Sequence, residues 1–320
     1  MLKKTALKSI VLIIPIILIL LSIEFLFRGV ENNFTYKKKK LLENSNSIEL
    51  LLLGDSRIFR GLDPKLFSFK TFNLGNDGER IFMSPKMIEK YADSLKSLKI
   101  IVVSIGSYEA MFGDPKAVET GHLRNYKIYY GIKFDDIDRK AQISDYLKLA
   151  NGMNFRNIED VFRHWTKQTK IEAQENGYFP PGLGNPTALQ FKEEAQRNKL
   201  RVEEKIKEGL EIGFNNSKKY VEESIAYCQK RHIKLVFVTA PAQLYYRELM
   251  SDPSFKLVTD YMTALTKQYK DVYYYDFTND ASFTDADFGD IIHVNNQGAE
   301  KFSKKLNAFL QNLKNAPVIA

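Results

Sequence analysis

Apolar runs of strand length alternate with stretches in which apolar residues recur at helical spacing. Four runs have the length of strands: 48–53, 99–105, 234–239 and 271–277. The first two have the composition of strands that are buried in a parallel sheet, and a shorter run, 71–72, lies between them. Four stretches have the periodicity of amphipathic helices: 85–98, 217–228, 253–269 and 298–313. This alternation predicts an α/β fold of three layers, with helices on both faces of the sheet.

The N-terminal stretch Ile10–Phe27 differs from these elements because it is apolar except for Ser22 and Glu24. It is just long enough to cross a bilayer, and no small-residue cleavage site follows it. We therefore expect residues 1–30 to be an uncleaved signal anchor, a single transmembrane helix, and not a cleaved signal peptide. Glu24 lies near the end of the span, where its carboxylate can reach the interface and pair with Arg28.

The formal net charge of +8 comes mostly from the N-terminal segment. Basic residues dominate the first 40 positions, whereas basic and acidic residues nearly balance in the rest of the chain. The excess therefore indicates an anionic membrane surface as partner, and no nucleic acid. Residues 31–46, which include Lys37–Lys40, are predicted to be a solvated juxtamembrane linker. Basic residues flank both ends of the span, so charge alone does not orient it.

The run 48–53 ends at Gly54-Asp55-Ser56, and the next residues suggest a helical turn. A serine at such a turn lies at the carboxyl edge of the sheet, where open α/β folds bind ligands. Its backbone N–H sits at a helix N-terminus, which stabilises developing negative charge. Ser56 is therefore a candidate nucleophile. The alternative is that Asp55 and Ser56 only cap the helix.

Asp290 and His293 are the candidate partners of this serine. A nucleophilic serine needs a base that takes its proton, and the base needs an acid that holds its tautomer. The spacing of three residues allows Asp290 and His293 to pair within one loop, just before the last predicted helix. A His–Asp pair taken alone is more often structural.

A third piece, Asn73-Leu-Gly75-Asn-Asp-Gly78, follows the short run 71–72. Gly75 has no side chain, so its N–H can approach a substrate oxyanion closely. The alternative is an ordinary glycine-rich turn.

Together these pieces resemble the blocks of the SGNH (GDSL-type) hydrolase superfamily. The first block matches at Gly54-Asp55-Ser56, the second at Asn73, Gly75 and Gly78, and the fifth at Asp290 and His293. The resemblance covers about 48–106 and 231–313. It implies a flavodoxin-like SGNH domain over 47–320, with Ser56, His293 and Asp290 as the catalytic triad and the N–H groups of Ser56 and Gly75 in the oxyanion hole.

The third block departs from the family pattern Gly-x-Asn-Asp, because this chain has Gly106-Ser107-Tyr108-Glu109. The asparagine that the family uses as third oxyanion donor is therefore absent. Asn76, Ser107 and Tyr108 are the candidate replacements, and a hole with two donors is the alternative.

The middle of the chain, about 110–214, lacks the strand–helix alternation and is predicted to be a mostly helical cap inserted into the domain. It is rich in aromatic residues, including Trp165 and Tyr178. These side chains either form a wall that stacks on sugars or belong to the core of an ordinary subdomain. Arg57 either contacts substrate or pairs with Glu109 or another acidic residue.

The resemblance extends to the membrane-anchored SGNH proteins of cell-envelope acylation, such as D-alanylation of teichoic acids and acetylation of alginate-type polysaccharides. It implies an extracytoplasmic serine esterase or O-acyltransferase that acts on O-acyl groups of a surface glycan, beside a membrane-bound O-acyltransferase. No cofactor or metal is implied. The alternatives are an exported general esterase or lipase, and a non-catalytic glycan-binding scaffold of an envelope machine.

Overall fold

The computed structural model describes residues 2–105, 120–134, 143–151, 155–182, 184–249 and 253–315. The strands are β1 (Leu50–Leu53), β2 (Thr71–Asn73), β3 (Ile100–Ser104), β4 (Lys234–Thr239) and β5 (Val272–Asp276). The helices are α1 (Leu2–Gly29), α2 (Asn33–Glu43), α3 (Ser56–Phe59), α4 (Met83–Tyr91), α5 (Thr120–Asn125), α6 (Phe155–Trp165), α7 (Ala188–Lys230), α8 (Leu244–Leu249), α9 (Pro253–Gln268) and α10 (Asn296–Asn315). Short 3₁₀ turns and one π-helical turn, Tyr126–Tyr130, complete the described elements.

The five strands form one sheet in the order β2-β1-β3-β4-β5, and every pair is parallel. This is the strand order of the flavodoxin-like doubly wound sheet, whose switch point lies between β1 and β3. Each of the four longer runs contains one strand, and the short run 71–72 forms the first two residues of β2, so the prediction of a parallel α/β sheet is confirmed. Ser56 follows β1 and therefore lies at the switch point, on the carboxyl edge.

The sheet is buried on both faces at its three central strands β1, β3 and β4, as their continuous apolar runs require. One face shares a hydrophobic cluster with the last helix, α10; its members include Leu50, Leu52, Ile100, Val102, Val236, Val238, Phe302, Leu306 and Leu310. The residues that alternate with these in β1, β3 and β4 are equally inaccessible: Leu51, Leu53, Ile101, Val103, Leu235 and Phe237. Helices α4 and α7 pack against each other.

Three helix boundaries differ from the sequence-based expectation. The helix predicted to start at Pro85 starts at Met83, with Pro85 in its first turn, and it ends at Tyr91, so it does not extend to Leu98. The helix predicted over 217–228 does not start at Ser217, because it is part of α7, one helix of 43 residues. Its N-terminus lies at Thr187, which forms a capping box with Gln190. Ser217 is buried within the helix and caps nothing.

The chain divides into two compact units: residues 1–36 with 119–172, and residues 37–118 with 173–320. The sheet belongs to the second unit. The predicted insertion 110–214 does not coincide with this division, since residues 119–172 group with the N-terminal helix and residues 173–214 with the sheet.

Helix α1 contains a stretch, Val11–Gly29, that is long and apolar enough to cross a membrane, with a mean hydropathy of 2.5. Its length and composition are as predicted for an anchor. Near its end, Glu24 pairs with Arg28 at 2.6 Å, as expected. The Glu24 carboxylate also accepts hydrogen bonds from the N–H groups of Lys148 and Leu149, at 3.0 and 2.9 Å. Glu24 is therefore buried by protein.

The aromatic residues of the first unit form a core. The ring of Phe34 lies 5.4–5.9 Å from the rings of three tyrosines, Tyr126, Tyr129 and Tyr130. The ring of Tyr126 also contacts the ring of Phe134. The three tyrosines and Phe134 are buried. A buried ion pair, Lys127–Asp145 at 3.0 Å, lies in the same unit. For these four residues the structure supports the interpretation as core aromatics, and not as a sugar-binding wall.

Gly54, directly after β1, is a position of the sheet unit that leaves no room for a side chain. Its φ is +135°, and a Cβ atom there would lie 2.4 Å from the Cβ of Ser104. Gly54→Ala is therefore expected to lower the free energy of unfolding by about 2–4 kcal/mol, from backbone strain and overpacking. Thermal unfolding of the detergent-solubilised chain measures this loss. Gly184→Ala is the control, because an added Cβ there meets nothing within 4 Å. Equal melting temperatures for the two variants would contradict the expectation.

Candidate active site

Ser56 is the first residue of α3, immediately after the turn at the end of β1. Asp55 caps this helix, since its carboxylate accepts the N–H of Arg57 at 3.2 Å. The same carboxylate pairs with the Arg57 guanidinium at 2.7 Å, and both side chains are buried. This compact turn fixes the backbone around Ser56.

Asp290 and His293 lie in a tight loop between β5 and α10. An antiparallel bridge joins Phe288 to Val294 and closes the loop, and the N–H of Gly289 donates to the carbonyl of His293 at 2.9 Å. The Asp290 Oδ1 atom accepts two backbone N–H groups, from Ile292 at 2.9 Å and His293 at 2.6 Å. Asp290 therefore organises its own loop with one carboxylate oxygen.

The three predicted side chains form a continuous relay. Ser56 Oγ lies 2.7 Å from His293 Nε2, and His293 Nδ1 lies 2.7 Å from Asp290 Oδ2. Burial alone would raise the pKa of Asp290, but the hydrogen bond and charge of His293, with the loop N–H groups, hold that pKa below its ordinary value. An ionised Asp290 accepts the proton on Nδ1 and leaves the Nε2 lone pair for the serine hydroxyl.

Gly75 and Asn76 lie against the turn that carries Ser56. The Asn76 N–H donates to the carbonyl of Gly54 at 2.9 Å, and a Cβ atom at Gly75 would come within 2.7 Å of that same carbonyl oxygen. The backbone at Gly75 thus lies too close to the Gly54 carbonyl for any residue with a side chain. The Gly75 N–H donates to Asn73 Oδ1 at 3.2 Å, and Asn76 Nδ2 donates to the Leu74 carbonyl. That the N–H groups of Ser56 and Gly75, and Asn76 as a third donor, bind an oxyanion remains a prediction.

The other candidate oxyanion donors, Ser107 and Tyr108, lie outside the described residues, as does Glu109, the expected partner of Arg57. Arg57 itself is buried and pairs with Asp55. These contacts support the interpretation that Arg57 pairs with an acidic residue. They do not support a role for Arg57 in contacting substrate.

The two aromatic candidates belong to different units. Trp165 lies on α6 of the first unit and Tyr178 in the second. Tyr178 is buried, and burial raises the pKa of its hydroxyl. A buried ring offers no face to a sugar, so the prediction of a stacking wall is not supported at Tyr178. The described contacts of Tyr178 therefore do not support a role in binding substrate.

Phe179, next to Tyr178, lies beside α3, the short helix that begins at Ser56. Its ring centroid is 5.0 Å from that of Phe59, on α3, and the Arg60 guanidinium lies 4.4 Å from the Phe179 ring. The segment is held there because the Asn73 N–H donates to the carbonyl of Asn176 at 2.8 Å. Phe179 belongs to the aromatic stretch that the sequence predicts as a substrate wall, although no local pattern relates Phe179 itself to Ser56.

Glu194, on α7, is a further carboxylate at the relay that sequence reasoning missed. Its Oε2 atom accepts the N–H of Ile291, within the Asp290–His293 loop, at 3.2 Å. Burial and the charge of Asp290 raise the pKa of Glu194, against the opposing effects of Ile291, Arg197 and His293. In the sequence, Glu194 is one of many charges in a polar helix, so nothing marks it.

The buried position of Lys37 contradicts the prediction that residues 31–46 are a solvated linker. Residues 33–43 form α2, and the Lys37 side chain is fully buried. Its Nζ atom donates to the carbonyl of Gly75 and lies 4.3 Å from the centroid of the Phe59 ring. Burial lowers the pKa of Lys37 to about 7, although the charges of Glu79 and Asp77 oppose this shift.

The lowered pKa of Lys37 predicts a pH-dependent stability. Between about pH 7 and pH 10.5 the unfolded chain holds a proton on Lys37 that the folded chain has lost, so stability increases with pH in this window. Lys37→Met removes this term. The free energy of unfolding of the variant, minus that of the parent, is therefore expected to fall by about 1.4 kcal/mol per pH unit there.

Chemical unfolding of the detergent-solubilised chain at several pH values measures this difference. Lys39→Met is the control, since Lys39 is exposed on the same helix. A Lys37→Met difference that does not change with pH would contradict a buried, neutral Lys37.

Among the described residues, no group of three or more His, Cys, Asp or Glu side chains is arranged to hold a metal ion. The model of an uncharacterised protein family matches residues 187–315, less than half of the chain. This region includes the Asp290–His293 loop but not Ser56. No curated protein matches the chain.

Proposed function

We propose that the chain is a membrane-anchored, serine-dependent enzyme of acyl esters, a serine esterase or O-acyltransferase of the SGNH type. The observation that carries this proposal is the relay from Ser56 Oγ to His293 Nε2 and from His293 Nδ1 to Asp290, with both distances at 2.7 Å. A serine that serves only as a helix cap needs no such partners. The resemblance of the first, second and fifth blocks to SGNH hydrolases supports the same chemistry.

The proposed reaction has two stages. The Ser56 oxygen attacks the acyl carbon while its proton moves to His293 Nε2, and the oxyanion forms near the N-terminus of α3. The protonated His293 then gives the proton to the departing alcohol oxygen, which leaves an acyl group on Ser56. In the second stage His293 takes a proton from water or from a glycan hydroxyl, whose oxygen attacks the acyl carbon. The bond between the acyl carbon and Ser56 Oγ then breaks, and His293 returns the proton to Ser56. Water gives hydrolysis and a glycan hydroxyl gives transfer.

The class of substrate follows from the resemblance. The SGNH proteins of cell-envelope acylation share an N-terminal anchor and act on O-acyl groups of surface glycans. We extend this to the present chain, with an envelope glycan as substrate and a membrane-bound O-acyltransferase as partner. A general esterase uses the same relay, whereas a non-catalytic scaffold has no need for it; the geometry therefore favours an enzyme.

Covalent labelling tests the serine chemistry directly. A fluorophosphonate probe is expected to label the purified full-length chain, and peptide mapping should place the label on Ser56. Ser56→Ala should abolish labelling while leaving the melting temperature unchanged, because Ser56 is only half-buried at the sheet edge. Failure of the parent chain to react, or labelling that persists in Ser56→Ala, would remove the enzyme proposal.

The proposed location is extracytoplasmic. Protease added to intact cells is expected to digest residues 31–320 and spare the N-terminal tail, since the tail is short and the substrate lies outside the cell. A chain that is digested only after the membrane is opened would place the relay in the cytoplasm and exclude a surface glycan as substrate.

A further inference from the structure

Helix α6 of the first unit exposes a row of large apolar side chains. Ile158, Phe162 and Trp165 are 53%, 62% and 65% exposed. Their spacing of four and three residues places them along one side of the helix. Glu159 and Arg163 lie on another side, where they form an exposed ion pair at 2.5 Å. Three adjacent, exposed residues of this size indicate a surface that water does not normally cover.

The neighbouring helix α1 indicates which medium surrounds this row of side chains. Helix α6 packs against α1, the helix that is long and apolar enough to cross a membrane. The apolar side chains of α1 between Val11 and Leu21 are largely exposed, so the part of the chain that the structure describes does not cover them. Both exposed apolar surfaces belong to one compact unit, and a bilayer is the one medium that suits α1.

The depth of α6 follows from the end of the span. Glu24 accepts hydrogen bonds from the N–H groups of Lys148 and Leu149, so the turn Lys148–Asn151 docks on α1 at the level of Glu24. A carboxylate with these partners marks the end of the apolar span. Helix α6 begins at Phe155, a few residues after this turn. Its position along α1 is therefore that of the boundary between acyl chains and headgroups.

The residue types agree with this position. Tryptophan is enriched at membrane interfaces, where its ring lies among the headgroups. An interfacial helix combines such a ring with aliphatic and phenylalanine side chains on one side and charges on the other. We propose that α6 is an interfacial helix whose Ile158, Phe162 and Trp165 side chains enter the phospholipid bilayer beside α1. The first unit would then bind the membrane through two elements, of which only α1 crosses it.

Trp165 provides a direct probe, because it is the only tryptophan in the chain. The full-length protein is reconstituted in phosphatidylcholine vesicles, with or without lipids that carry bromine on the upper part of the acyl chains. Trp165 fluorescence is expected to decrease roughly twofold with these lipids, because an interfacial helix lies within about 5–10 Å of the headgroup boundary. Bromine at the chain ends should quench it less.

A matched pair of variants tests the face of the helix. Phe162→Asp adds one negative charge to the apolar row and is expected to reduce the quenching of Trp165 by brominated lipid. Arg163→Gln makes the same change in charge on the polar side and should leave the quenching unchanged. Both side chains are exposed, so neither change disturbs a core. Helix α1 retains all three proteins in the vesicles.

Two results would overturn the proposal. Emission that aqueous iodide quenches but brominated lipid does not would place the row in water. Emission shielded from both quenchers would mean that another protein, or a second copy of this chain, covers the row. The proposal is independent of the serine chemistry, since Ser56→Ala should leave the quenching unchanged.

Discussion

Replacing His293 with alanine should lower the turnover of an activated acyl ester by about six orders of magnitude, close to the loss from Ser56→Ala. The reason is that Ser56 Oγ has its proton acceptor 2.7 Å away, at Nε2. Without it, a serine hydroxyl is a poor nucleophile at neutral pH. Hydrolysis of a p-nitrophenyl ester by the detergent-solubilised chain gives kcat and KM for each protein.

The double variant makes this prediction sharper. Groups that act as one unit are not additive, so Ser56→Ala combined with His293→Ala should be no slower than either single variant. His232→Asn is the control, because His232 is exposed and has a φ of +55°, a conformation that asparagine tolerates. If His293→Ala retained more than about a tenth of the parent activity, His293 would not be the base.

The same relay shows how far sequence reasoning reaches. The positions of Ser56, Asp290 and His293 could be predicted because strand ends in a parallel sheet share one edge, and because a spacing of three residues lets an Asp reach a His in the same loop. The central strands β1, β3 and β4 could be predicted because they are buried on both faces and read as apolar runs. Both inferences use local patterns and one general rule of the fold.

Residues whose roles depend on distant contacts could not be found in this way. Lys37 belongs to a run of four lysines and looks solvated, yet it is buried because α2 places it against Gly75 and Phe59. Glu194 reaches the Asp290–His293 loop from a segment that is far from that loop in the sequence. No periodicity or capping signal encodes such pairs, since they arise only from tertiary packing.

The length of α7 is a second case. The polar residues around Ser217 suggested a new cap, because serine and asparagine favour helix N-termini. In the structure Ser217 is buried and the helix continues through it, so burial against the rest of the sheet unit outweighs the local preference. The helix instead begins after Thr187, where both bonds of a capping box are present.

The two oxygens of Asp290 have separate roles, which makes Asp290→Asn a specific test of the relay. Oδ1 accepts two backbone N–H groups and Oδ2 accepts the N–H of His293 Nδ1. In the variant, the amide oxygen must occupy the Oδ1 position, because an NH₂ group there would face two donors. The NH₂ group is then directed at Nδ1, which it can bond only if Nδ1 has no proton.

Asp290→Asn should therefore move the imidazole proton to Nε2, the atom that must accept the proton of Ser56. The fold and the loop are expected to persist, while kcat at neutral pH falls by about four orders of magnitude, less than for His293→Ala. Asp260→Asn is the matched control, since Asp260 is exposed and pairs with Lys256 on its own helix.

Nitrogen NMR of labelled His293 separates this account from a loss of structure. The parent should show the proton on Nδ1 and Asp290→Asn should show it on Nε2, with similar melting temperatures for the two proteins. Unchanged kcat, or slow turnover with the proton still on Nδ1, would contradict the role of Asp290 in holding the tautomer. The change in tautomer and the loss of rate must appear together, because only the lone pair on Nε2 makes Ser56 a nucleophile.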